Sequence, residues 1–153
     1  KRQTYDLVAH LADAGTYCGV HDPDFVHVDS LTIDGRWQPV LFEHPDSRVC
    51  YQLSLDAGTT LAFDLALAPE TWDKAGDGVD FAIYVESDRG TEQVFGHYID
   101  PKQKQEDRRW HPFTVDLSDY HGPVTLIFET GGGPAGDTSY DWAVWGNLRL
   151  FKP

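Results

Sequence analysis

Apolar side chains recur at every second position along most of this chain, a spacing that suits extended strands with one buried face and excludes a helical protein. Val49, Tyr51, Leu53 and Leu55 alternate with Cys50, Gln52 and Ser54. Leu61, Phe63, Leu65 and Leu67 repeat the pattern, as do Val79, Phe81, Ile83 and Val85 against Asp80, Tyr84 and Glu86. Phe113, Val115 and Leu117 follow, then Val124, Leu126 and Phe128. Turn-forming clusters separate these runs: Asp56-Ala57-Gly58, Gly76-Asp77-Gly78, Asp88-Arg89-Gly90 and His121-Gly122-Pro123. Short strands at that rhythm predict an all-β protein, a jelly-roll β-sandwich of two antiparallel sheets. Tyr5 to Leu11 reads equally as a short helix or as an N-terminal strand.

The chain has 153 residues, enough for one domain with a sizeable core, so residues 1–153 are expected to form a single sandwich. It contains no methionine, even at position 1, as expected of a piece excised from a larger protein. Its 25 acidic against 12 basic residues give a formal charge of −13, which repels nucleic acid and anionic membranes and removes both as expected partners. No apolar run is long enough to span a bilayer. Cys18 and Cys50 allow one disulfide, but their spacing alone does not decide whether they meet.

Catalytic signatures are missing. There is no G-x-S-x-G elbow, no phosphate-cradling G-x-x-x-x-G-K and no H-E-x-x-H. The nearest histidine pair, His21 and His27 beside Asp22 and Asp24, is explained as readily by turn and surface residues as by a transition metal. Calcium is the better expectation, because it takes six to eight hard oxygens of the kind that aspartates and glycine-rich turns provide. Asp137 and Asp141 bracket such a turn, and Glu43 is placed to add a ligand from across the sandwich.

Aromatic rings supply the other candidate chemistry. A sugar lays its C–H face on an indole or phenol while its hydroxyls seek carboxylates, amides or guanidinium groups. Trp110 has the parity opposite Phe113 and Val115, so it should leave the core side. In the last strand Trp142, Val144, Leu148 and Leu150 share one parity, and Asp141, Trp145, Asn147 and Arg149 share the other. Trp142 is therefore expected as a core anchor, and Trp145 as the ring free for a ligand or for the opposite sheet. Trp72, Tyr98 and Arg109 complete the expected binding set, although each ring can equally cover a sheet face or pack under a loop. Lys102, Lys104, Arg108 and Arg109 form a local basic cluster, suited to an acidic sugar or phosphate or to pairing with Asp100, Glu106 and Asp107.

Three stretches carry a family likeness: GDGVDFAIYVE (76–86), FGHYIDPKQKQEDRRWHPFTVDLSDYHGPVTLIFET (95–130) and GDTSYDWAVWGNLRL (136–150). Together they resemble the NPCBM-like carbohydrate-binding modules, whose closing motif matches Asp137, Asp141, Trp142 and Trp145. LFEHPDSRVCYQLSL (41–55) is similar to extracytoplasmic domains appended to prokaryotic membrane glycosyltransferase-like proteins. The resemblance implies a non-catalytic jelly roll, extracellular or periplasmic, that binds a glycan or polysaccharide beside other domains of its parent protein. The alternative expectation is a structural or protein-interaction sandwich that positions a partner domain, and a glycan-active enzyme is the least favoured.

Overall fold

The computed structural model describes residues 2–15, 18, 22–74 and 76–153. Among the described residues ten strands form two antiparallel sheets packed face to face: β1 (Arg2–Asp6), β2 (Val26–Ile33), β3 (Arg36–Glu43), β4 (Ser47–Leu55), β5 (Thr60–Leu67), β6 (Val79–Ser87), β7 (Gly90–Ile99), β8 (His111–Asp116), β9 (Gly122–Gly132) and β10 (Ala143–Lys152). One sheet has the order β2-β3-β10-β5-β8, with β1 also paired to β10; the other is β4-β9-β6-β7. Every expected strand is present, and the chain is the expected all-β jelly roll. The segment from Tyr5 begins in strand β1 and ends in a short 3-10 turn at Leu11–Asp13, so neither simple reading of it was complete.

The alternation of apolar residues places the core between the sheets. Tyr51, Leu61, Phe63, Leu65, Phe81, Ile83, Leu126 and Phe128 are all essentially inaccessible. Trp145 lies at the centre of this layer. Its ring stands edge-on to Phe63 of its own sheet at 5.4 Å, and to Phe81 and Phe128 of the opposite sheet at 5.2 and 5.3 Å. Such edge-to-face contacts add to the area burial that dominates aromatic packing.

Parity along β10 breaks in the middle. The pairing of β10 with β5 shifts between Gly146 and Arg149, and Asn147 takes a positive φ of 47°. This bulge lets Ala143 and Trp145 face inward before it, and Leu148 and Leu150 after it. A strict two-residue count therefore assigns the wrong faces to Trp142 and Trp145.

The outer face of the larger sheet has a core of its own. Ile33, Val40, Ala66, Val144 and Trp110 pack there, with Leu31, Phe42 and Trp72 partly buried against them. Trp110 does leave the central core, as its parity predicts, yet it is only 7% exposed. Gly146 makes this possible, since a Cβ there would stand 2.9 Å from the indole. On the smaller sheet Cys50 is buried on the outward side and bonded to Cys18, closing a 32-residue separation. In the chain-entropy picture that link contributes about 3–4 kcal/mol.

Candidate ligand-binding edge

Antiparallel connections bring four loops to one end of the sandwich: 44–46, 68–78, 100–110 and 133–142. Hydrogen bonds tie them together. Asp46 Oδ1 accepts from Gly132 N at 3.2 Å, Asp77 Oδ2 accepts from Ala135 N, and Ala68 N donates to Trp142 O at 2.9 Å. Tyr98 donates its hydroxyl to Asp77 O and to Asp100 Oδ2, and Arg108 pairs with Asp73 at 2.7 Å. Gly133 is needed here because any Cβ would collide with Asp77.

The result is a concentration of carboxylates. Asp141 is buried, and its pKa is pushed up to about 7, first by burial and then by Asp77, Asp137, Asp100 and Asp46. Burial and Asp77 also raise Asp80. Asp141 Oδ2 and Asp77 Oδ1 are buried and accept no hydrogen bond. A buried unpartnered carboxylate oxygen costs about 1–3 kcal/mol or more, so these two atoms stand out in an otherwise well-bonded loop cluster. Asp137 behaves differently: it accepts from Ser139 N at 2.9 Å, a turn-fixing bond that lowers its pKa. Among the described residues, no three His, Cys, Asp or Glu side chains already stand in a metal-holding group.

Two aromatic side chains flank Asp141 and face solvent. Tyr140 is 46% exposed and Trp142 is 40% exposed. Tyr140 has a positive φ of 57°, and Ala143 N donates back to Asp141 O at 2.8 Å, so the chain turns sharply and throws both neighbours of the buried acid outward. Tyr140 and Asp141 line a small cleft with Lys74, Asp100 and Lys102.

Several expectations need correction. Trp145 is inaccessible and belongs to the core, reaching the opposite sheet rather than a ligand. Trp110 is covered on the outer face, its Nε1 donating to Arg36 O at 3.1 Å. Trp142, expected as a core anchor, is exposed. Trp72 is half-buried with Nε1 bonded to Leu67 O, and Tyr98 is half-buried by its two hydroxyl bonds, its pKa raised chiefly by burial and then by Asp100. Arg109 is exposed and holds only Glu106 O, while its neighbour Arg108 pairs with Asp73 instead of the expected acids.

Glu43 is also misplaced as a cation ligand. It is fully buried under the core tryptophan, accepting from Trp145 Nε1 at 2.9 Å and Ser47 Oγ at 3.3 Å. Burial raises its pKa well above 4.5 despite those bonds, and its carboxyl is held within the core as part of the packing. His21 lies outside the described residues; His27 stacks on Phe42 at 4.6 Å. The sequence signal that Trp142 rather than Trp145 meets solvent was Asn147, whose tolerance of a left-handed conformation announces a bulge.

No family model matches the chain. An uncharacterized protein of Archaeoglobus fulgidus is 44% identical over 119 residues, covering 72% of this chain and 30% of that one. The chain thus spans about a third of the length of that relative. Among solved structures, CBM51 from Clostridium perfringens GH95 in complex with methyl-galactose superposes with a TM-score of 0.64 at 17% identity, covering 96% of this chain and 99% of that one. TmCBM61 in complex with β-1,4-galactotriose gives 0.54 at 16% identity over the whole of both chains. The Clostridium perfringens ZmpB M60 catalytic domain with its CBM51 domains gives 0.60 at 18% identity, covering 82% of this chain and 12% of that one. At such identities the likeness is one of fold, the jelly roll of carbohydrate-binding modules.

Proposed function

We propose that this sandwich is a non-catalytic glycan-binding module of an extracytoplasmic protein, with the sugar held on the Tyr140–Trp142 edge. The observation that carries the reading is that two large aromatic side chains, two residues apart, are exposed on a loop edge that also presents lysines. A ring there offers a flat apolar face, and the exposed Lys74 and Lys102 beside it offer donors for hydroxyls. The carbohydrate-binding folds it shares support the same reading. The Cys18–Cys50 bond supports an oxidising location, which suits a module outside the cytoplasm.

A structural calcium is part of this proposal. Asp141 and Asp77 would hold it through their unpartnered oxygens, with backbone carbonyls of the glycine-rich loops as further hard ligands. When bound, the ion would neutralise the crowded carboxylates and fix the loops that display Tyr140 and Trp142. Glu43 has no part in it, and Asp137 acts by shaping the turn.

The test is titration with galactose, methyl-galactose and a panel of oligosaccharides, followed by tryptophan fluorescence and calorimetry. Wild type should bind at least one, and Trp142→Ala should weaken it about tenfold, or about 1.4 kcal/mol. Binding unaltered in both Trp142→Ala and Tyr140→Ala would move the site elsewhere.

One observation favours the structural alternative. The inward-parity face of the β2–β3 hairpin carries Val28 at 50% exposure and Trp37 at 62%. That overhang fits a contact with another domain of a longer protein, and the relative of which this chain spans 30% is such a protein. Protection of the Trp37 region in a longer chain, compared with the isolated sandwich, would support that role.

A further inference from the structure

On the outer face of the larger sheet, register places Gly146, Asp64 and Pro112 in one row across β10, β5 and β8, and Arg149, Ala62 and Thr114 in the row beside it. Between these rows lies an open depression of about 300 Å³, whose charged rim is formed by Arg36, Asp64 and Arg149. It is on a face of the sheet, away from the loop edge that carries Trp142.

Three features set this depression apart. First, Asp64 is only 4% exposed, and just one of its oxygens is engaged: Oδ2 meets Arg36 Nη2 at 3.1 Å, while Oδ1 is buried without a partner. Second, beside the depression on the same face, Gln38 flanks Gly146, 3% exposed, with neither side-chain amide atom bonded. Third, Arg149 has no carboxylate partner among the described residues. Its Nη1 donates to Asn147 O at 2.6 Å and its guanidinium lies 5.0 Å from the Phe151 ring centroid. Two arginines against one aspartate leave the rim at +1 within a chain of −13.

A carboxylate oxygen without a donor calls for a hydroxyl or N–H, and an unpaired guanidinium calls for an oxyanion. Ala62 and Pro112 offer a small apolar floor, and Thr114 adds a hydroxyl. One ligand class combines all three demands: a ring with hydroxyls, a C–H face and a carboxylate. We propose that this depression is a second binding site, specific for a hexuronic acid. Arg149 takes the sugar carboxylate, and Asp64 takes ring hydroxyls. This requires Arg36, whose side chain is 58% exposed and whose contact is to Oδ2 alone, to give way so that a hydroxyl reaches the Asp64 carboxylate.

The proposal stands apart from the Trp142 reading and is tested separately. Amide NMR of the full chain would be followed during titration with sodium glucuronate and sodium galacturonate, with glucose, galactose and sodium acetate as controls. The expected result is that uronates shift the amides of Ala62, Asp64, Thr114 and Arg149 while the controls leave them in place. Arg149→Gln, a half-exposed position whose replacement keeps the fold, should weaken uronate binding about tenfold. Asp64→Asn should weaken it as well, and Trp142→Ala should leave it unchanged. Absence of uronate shifts, equal shifts with acetate or neutral sugars, or binding that survives Arg149→Gln would each overturn the proposal. Loss of uronate shifts in Trp142→Ala would reassign them to the loop edge.

Discussion

Two carboxyl groups, Glu43 and Asp141, are both buried and both hold their protons well above the usual range, yet they belong to different kinds of region. Glu43 sits in the core with both oxygens engaged, one by Trp145 and one by Ser47. Asp141 sits among converging loops with Oδ2 unpartnered and four other aspartates acting on it. Burial alone therefore does not mark a site. A buried acid whose acceptors are all satisfied is a structural element, whereas one left with an open oxygen in a like-charged cluster is the one to which we assign the proposed cation.

The comparison breaks first at Trp145. Trp145→Ala should cost about 3–5 kcal/mol, because it empties the centre of the aromatic layer and strips Glu43 of its donor. Urea unfolding at neutral pH measures this, and a loss below about 1 kcal/mol would deny Glu43 and Trp145 their structural role. Next in size is the response to calcium. Saturating calcium at about 100 times its Kd should stabilise wild type by about 2.7 kcal/mol, read as a rise in Tm over an EGTA control. Asp141→Asn should abolish that rise, and Glu43→Gln should keep it. If the two variants responded alike, the distinction between the acids would fail.

Proton linkage sharpens the contrast further. Glu43 binds its proton more tightly folded than unfolded, so its contribution is fully present below about pH 4.5 and is lost as pH rises toward its folded value. Wild type should lose stability over that rise, by about 1.4 kcal/mol for every tenfold difference in proton affinity between the folded and unfolded chain. Glu43→Gln should flatten this part of the profile. A variant profile that parallels wild type would show that Glu43 does not titrate as a buried acid. The smallest expected change in stability is at Trp142. Trp142→Ala should alter unfolding free energy by no more than about 0.5 kcal/mol while weakening glycan binding. A large drop in Tm would instead make the ring a packing residue.

Much of the fold was legible because strand periodicity is local. Val49 to Leu55, Leu61 to Leu67 and Val79 to Val85 announced their strands, and Asp-Gly turns announced the breaks between them. The aspartate-rich end was also legible in part, since Asp141 stood out beside its glycine-rich turn. Its neighbours did not. Asp46, Asp77 and Asp100 lie 95, 64 and 41 residues before Asp141, and only the antiparallel connections bring them to one end. The depression beneath Arg149 was illegible for the same reason, because its residues come from β3, β5, β8 and β10.

By itself the sequence determined the class of this protein: alternation dictates strands, and strands with one apolar face must pair into two packed sheets. Which tryptophan meets solvent was decided only in three dimensions. A bulge at Asn147 reverses the parity of β10, Gly146 makes room for Trp110 on the outer face, and the core closes around Trp145 and Glu43. Strand parity counts residues along one chain, whereas exposure depends on what the other strands and loops place above each residue. Only the packed structure supplies that.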